Sequence, residues 1–256
     1  MFSIKKEKIV EVLRQLDIQE GTILFVHSST GLIFGKQENP SQLLYDAIFE
    51  VIGKSGTVVV PTFTFACCHG KLYDPMETDS ETGQFTNFVR KIPGALRSNH
   101  PIHSVSAVGR DAHLVVNHES ISSFGQKSSF NILLDLGAVN LLVGVGIQYI
   151  TLIHQAEEDL VVPYRFYKEF DIEVKEKGRI TRKNIPYFAK YQDRKITYKL
   201  DLMEETIRMH NAMPIRRVGW GNIGRCDFKI FYNLFREKMC LDPYFLIDKE
   251  EYLKSI

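Results

Sequence analysis

Apolar positions along this chain follow two different periods, and the switch between them divides it. Ile9, Val10, Leu13 and Leu16 fall on one side of a 3.6-residue period, which predicts an amphipathic helix near the start. Residues 21–29, GTILFVHSS, then read as a turn, a short buried strand and a polar loop at its end. The unit recurs. Residues 40–53, PSQLLYDAIFEVIG, read as a helix with proline near its start and glycine at its finish, and 56–65, GTVVVPTFTF, as a second apolar strand with a polar end. A helix is predicted over 84–92, a strand over 103–109, a short helix over 130–136, a strand over 139–146 and a helix from Thr151. Short apolar strands alternating with helices predict an α/β fold whose sheet is covered on both faces.

From about residue 163 the pattern changes. PYRFYKEFDIEVKEKGRITRK (163–183) alternates apolar with charged residues, the period of antiparallel strands. A helix near 200–211 follows, then RRVGWGNIG (216–224) as a strand and glycine-rich turn, and Phe228, Phe231, Leu234 and Phe235 mark a last amphipathic helix. The expected organisation is an α/β core over 1–162 and an appended α+β portion over 163–256, without repeat or low-complexity linker and so close to one continuous domain.

Composition excludes several classes. With 256 residues, 44% hydrophobic and 25% charged, the chain is neither disordered, collagenous nor a disulfide scaffold. Thirty-two Lys and Arg against 31 Asp and Glu leave a net charge of +1, too little for a protein that coats nucleic acid. Cys67, Cys68, Cys226 and Cys240 have no zinc or disulfide spacing and read as free thiols in a reducing compartment. The first sixteen residues are too charged for a signal peptide, and no run offers the ~18 apolar residues of a membrane span, so a cytoplasmic protein is expected.

The segment 141–158, LLVGVGIQYITLIHQAEE, carries the strongest candidate chemistry. Its Gly144-x-Gly146 lacks the third glycine of a dinucleotide fingerprint, because Tyr149 stands there. Thr151 can cap the helix that follows, placing His154 in its first turn with Glu157 and Glu158 on the same face. The positive end of a helix disfavours imidazolium, and a carboxylate can fix the tautomer, so the pair has the attributes of a tuned general base. The alternative is a histidine satisfied by a local bond on a solvated helix end.

A second cluster, RSNHPIHSV, holds Arg97, His100, His103 and Ser104. Pro101 prevents a helix that would align the two histidines for a metal, so no metal is expected. Ser104 lacks the G-x-S-x-G elbow of a serine hydrolase. A third cluster is the pair of strand ends, His27-Ser28-Ser29 and Pro61-Thr62-Phe63-Thr64, where ligands of open α/β sheets collect and where hydroxyls and backbone N–H groups suit a phosphate or a polarised carbonyl.

In order along the chain, VHSS (26–29), GTVVVPTFTF (56–65), PGALRSNHPIHSVSAVG (93–109), SFGQKSSF (123–130), LLVGVGIQYITLIHQAEE (141–158), VPYR (162–165) and the closing GNIG and DPYFLI resemble the aminoglycoside 3-N-acetyltransferase family. The resemblance spans most of residues 21–246. It implies an acyl-CoA-dependent N-acetyltransferase acting on an amino sugar, with a three-layer α/β/α core, a mixed sheet and an appended α+β portion that completes the acceptor cleft. It implies His154 as the catalytic base with Glu157 steadying its ring. It places acetyl-CoA, a co-substrate, against His27, Ser28, Ser29, Thr64, Arg97, His103, Ser104 and Val105. Coenzyme A and a small amino sugar are the partners; nucleic acid and membrane are not, and a homodimer is left open.

Charge bears on the acceptor. Lys177, Arg179, Arg182, Lys183, Lys190, Arg194, Lys195 and Lys199 share their stretch with a single acid, Asp193, and with Tyr187, Phe188, Tyr191 and Tyr198. Such a run suits an anionic, nucleotide-linked amino sugar of surface-polysaccharide synthesis, with Glu158, Tyr187 and Arg194 as acceptor contacts. The alternatives are an aminoglycoside, whose polycation calls for carboxylates, and a plain solvated face.

Overall fold

A computed structural model describes residues 4–118, 120–176 and 178–256. Its strands are β1 (Ile23–Ser28), β2 (Thr57–Pro61), β3 (Leu96–Arg97), β4 (Val105–Gly109), β5 (Val139–Val143), β6 (Arg165–Glu176), β7 (Arg179–Lys190), β8 (Ile215–Val218) and β9 (Gly221–Asp227). The helices in the first half are α1 (Lys6–Gln15), α2 (Thr30–Phe34), α3 (Pro40–Ile52), α4 (Gln84–Val89), α5 (Ala112–Val116) and α6 (Ser129–Asp135). In the second half come α7 (Ile153–Asp159), α8 (Leu200–Met209), α9 (Phe228–Leu241) and α10 (Lys249–Lys254).

Seven strands form one mixed sheet in the order β3-β4-β2-β1-β5-β9-β8, and β6 and β7 pair as a separate antiparallel hairpin. At the centre β1 runs parallel to both β2 and β5, with Leu24 opposite Val58 and Val139. The alternation of side chains along these strands sorts the core into two layers. Leu24, Val26, Val58, Val60 and Leu141 pack with Leu13 of α1 and Leu44 and Ile48 of α3. Phe25, Val59 and Leu142 face the other way, onto Phe130 of α6, Ala156 of α7, and Phe231 and Phe235 of α9. Helices on both faces make the expected α/β/α sandwich.

The later portion feeds back into this sheet, since β9 pairs antiparallel with β5 and carries β8 at the edge. Two local expectations are corrected. Thr151 does not cap α7: the helix begins after Leu152, and the Thr151 hydroxyl turns to Tyr149 O at 3.4 Å. The strand expected over 103–109 starts at Val105, where its pairing with Pro61 of β2 begins. Among the described residues no helix is long and apolar enough to cross a membrane.

Candidate active site

Parallel β1 lies between β2 and β5, so the chain leaves it on both sides and a crevice opens at the carboxyl ends. A cleft of about 760 Å³ occupies that position, lined by His27, Ser28 and Ser29 at the end of β1, Pro61 of β2, and His154. Its floor needs a tight approach of two loops. Ser29 N donates to Val143 O at 2.8 Å, and Gly144 (φ 69) is so close that a Cβ there would lie 2.4 Å from Ser29 O. Gly144 therefore serves packing.

His154 enters the cleft from the first turn of α7, its side chain one-third exposed. Its Nδ1 lies 2.6 Å from Oε2 of Glu157, which is fully buried. Burial by itself raises the Glu157 pKa, but Arg165, His154 and Tyr198 outweigh it and hold the carboxyl at about 2. The carboxylate thus carries no proton, so Nδ1–H of His154 is the donor and Nε2 is left as the basic nitrogen. Burial and the Arg165 charge lower the His154 pKa below its ordinary value, while Glu157 opposes them. The imidazole is neutral at pH 7, and its desolvation is the first cause.

Glu157 is saturated. Its Oε1 accepts from Tyr164 Oη at 2.9 Å and Tyr198 Oη at 2.5 Å. Arg165 Nε stands 2.9 Å from Oε2, an ion pair off the hydrogen-bond line. Arg165 Nη2 is 3.1 Å from His154 Nδ1; since both bear hydrogens, this contact is a charge placed against the ring. Arg165 is further held by Phe188 O at 2.9 Å and Tyr198 Oη at 2.7 Å.

The other expected residues divide. His27, Ser28, Ser29 and Tyr187 line the cleft beside His154. His27 Nε2 and Ser28 Oγ are buried there with no protein partner among the described residues, and burial brings the His27 pKa to about 3. His103 lies behind the wall, its Nδ1 2.7 Å from Ser123 Oγ and its ring stacked on Tyr187 at 5.5 Å. Thr64, Ser104 and Val105 are buried outside the lining, Thr64 donating to Pro101 O at 2.5 Å and Ser104 to Thr62 O at 2.6 Å. Arg97 faces a separate groove and spends its donors on Thr62 O at 2.7 Å, Thr62 Oγ1 at 3.1 Å and the carbonyl of Thr78. Glu158 points away to Ser122 Oγ at 2.8 Å, and burial raises its pKa. His100 is tied at both nitrogens, Nε2 to Ile121 O at 3.1 Å and Nδ1 to His103 N at 3.0 Å.

Three residues of the network escaped the sequence. Tyr164 and Arg165 lie in the matched VPYR segment without a role, and Tyr198 counted only as an aromatic among basic residues. No local spacing joins Tyr198 to Glu157, which are 41 positions apart.

The basic run is also corrected. It does not gather at the cleft beside His154, and two of its cations meet acids, Lys183 pairing with Glu176 at 2.5 Å and Lys195 with Glu251. Arg194, the expected acceptor contact, lies outside the cleft lining, against the Tyr191 ring at 3.7 Å and Tyr252 Oη at 2.8 Å. Of the run, Lys190 alone lines the cleft among the described residues; Lys177 lies outside them.

A histidine held by a buried carboxylate thus faces a cleft at the switch point of a mixed α/β sheet. The chain belongs to the aminoglycoside 3-N-acetyltransferase family, whose profile matches residues 25–239. By family it is an acetyl-CoA-dependent N-acetyltransferase. Relatives include aminoglycoside N(3)-acetyltransferase VIII of Streptomyces fradiae, 28% identical over 69% of this chain and 68% of that one. Another is aminoglycoside N(3)-acetyltransferase III of Salmonella sp, 27% identical over 65% of each chain. The fold matches that of the aminoglycoside acetyltransferase AAC(3)-IVa apoenzyme, with TM-score 0.83 at 20% identity over 100% of this chain and 99% of that one. It also matches AAC-IIIb in its binary complex with CoASH, with TM-score 0.80 at 19% identity over 93% and 97%.

Proposed function

We propose that the protein moves an acetyl group from acetyl-CoA to an amino group of an aminoglycoside, with His154 as general base. The observation that carries this reading is the arrangement at His154: Nδ1–H is committed to buried Glu157, and Nε2 is left for the cleft. An aminoglycoside amine is an ammonium at pH 7 and has no lone pair until it loses a proton. His154 Nε2 takes one proton from the ammonium, and the amine so freed attacks the thioester carbonyl; the C–N bond forms, the C–S bond breaks, and the second proton that the nitrogen gives up leaves with coenzyme A as its thiol. No covalent enzyme intermediate is needed. The unpartnered His27 Nε2 and Ser28 Oγ at the end of β1 support acetyl-CoA in this cleft, with the acceptor arriving on the His154 side. The aminoglycoside assignment rests on the family; a basic run of which Lys190 alone, among the described residues, lines the cleft gives no support to a nucleotide-linked acceptor.

The test is thiol release from acetyl-CoA with kanamycin-type aminoglycosides and with nucleotide-linked amino sugars. Turnover with the first group and none with the second is expected. His154→Ala should lose about 10²–10⁴ in kcat, the range of a positioned base, while still binding coenzyme A. Wild-type kcat in His154→Ala sinks the assignment of the base.

A further inference from the structure

We propose that Arg165 is a positioning residue that keeps His154 ready to accept a proton, working through Glu157 and braced by Tyr198. The inference rests on the reading of His154 as general base. A carboxylate alone behind an imidazole orients the ring but also favours its protonated form, and a histidine already protonated at rest cannot accept the substrate's proton. The guanidinium separates these two effects. Its Nε lies 2.9 Å from Glu157 Oε2 and cancels much of that negative charge, while the lone pair that accepts from His154 Nδ1–H stays in place. Its Nη2, 3.1 Å from Nδ1, sets a fixed positive charge against the ring edge, in a site where Arg165 is only 9% exposed and water screens little.

The brace comes from distant segments. Nη2 donates to Tyr198 Oη at 2.7 Å, and Tyr198 Oη in turn donates to Glu157 Oε1 at 2.5 Å. Nη1 donates to Phe188 O of β7 at 2.9 Å. The guanidinium is thus fixed by the hairpin and by the segment before α8, and the later part of the chain takes part in preparing the base. The other titratable groups that face His154 are Lys190 of β7, which is solvent-exposed and hence screened, and buried His103. Tyr187 and Tyr164 stand by as neutral phenols.

A purely structural role predicts lower stability and an unmoved ring. The readout is therefore NMR titration of ¹⁵N-labelled histidines, with the His154 signal identified by its loss in His154→Ala, beside the pH profile of kcat/KM. In Arg165→Met the His154 titration should move up by about one pH unit, as removal of a nearby cation from a buried site does, with the acid limb of kcat/KM following. Arg165→Lys should restore most of the wild-type position, and Tyr198→Phe should give a smaller upward shift. A folded Arg165→Met whose His154 titrates as in the wild type overturns the proposal. If that variant does not fold, an unshifted His154 in Tyr198→Phe overturns it instead. Because the titration needs no turnover, a shifted ring with an unshifted kcat/KM profile would remove His154 from the chemistry and leave the role of Arg165 standing.

Discussion

Buried Arg165 and half-buried Arg97 are used by the structure in opposite ways. Arg165 meets an ionised carboxylate, and burial, which opposes its charge, is outweighed by Glu157, so its pKa is raised. Arg97 meets only carbonyls and hydroxyls of Thr62, Ser104, Pro75 and Thr78, with Tyr73 beneath it at 5.2 Å, and burial lowers its pKa. A buried cation set against an anion and an imidazole forms an adjustable electrostatic unit. A half-buried cation among neutral acceptors ties loops together. The chemistry of this protein is therefore expected to depend on Arg165, and the integrity of the β2–β4 corner on Arg97.

The sharpest way to break the contrast is Glu157→Gln. It leaves Arg165 buried without its anion, a loss of about 3–5 kcal/mol in denaturant unfolding, and kcat should fall together with stability. If Glu157→Gln keeps both, the network is not the unit described. Next comes Arg97→Met, which strands buried acceptors and should cost about 1–3 kcal/mol, with kcat and the KM for acetyl-CoA of the folded protein close to wild type. A large rise in that KM would move Arg97 from scaffold to coenzyme contact.

The pH dependence sharpens the same point. Glu157 has a folded pKa of about 2, depressed below the 4.5 of an exposed glutamate, so its contribution to stability is full above pH 4.5 and is lost as pH falls towards 2. His154, lowered below 6.5, acts differently: its neutral form is the proposed base, so kcat/KM should be flat at neutral pH and fall only as pH drops through that lowered value. Acid unfolding and the acid limb of kcat/KM should therefore separate, the limb lying at higher pH. The smallest effect is expected for Arg194→Ala. Outside the cleft, on Tyr191 and Tyr252, its loss should leave the denaturation midpoint close to wild type and KM for either substrate unchanged.

Much of the frame was legible in the sequence because it follows from short-range periodicity. Leu24 and Val26 against Phe25, and Val58 and Val60 against Val59, show a strand apolar on both sides, which only a two-faced cover can bury. Pro40 and Gly53 bracket a helix as expected. His154 and Glu157 were readable for the same reason, three positions apart on one helix. The basic run misled because composition counts charges without their partners. β7 lies in register with β6, and Glu173 stands opposite Arg182 and Glu176 opposite Arg179, so much of the apparent excess is balanced across the hairpin.

What the sequence determined alone is the layered α/β core, the family, and a histidine with an acid one turn on. Only the tertiary structure decided which histidine nitrogen is free, which arginine tunes it and which merely braces, and which expected contacts face the cleft at all. The reason is physical: periodicity and spacing are properties of neighbours in the chain, whereas Tyr198, Arg165 and Glu157 come into contact only after the strands and helices have packed. Burial, which sets the charge of each group, exists only then.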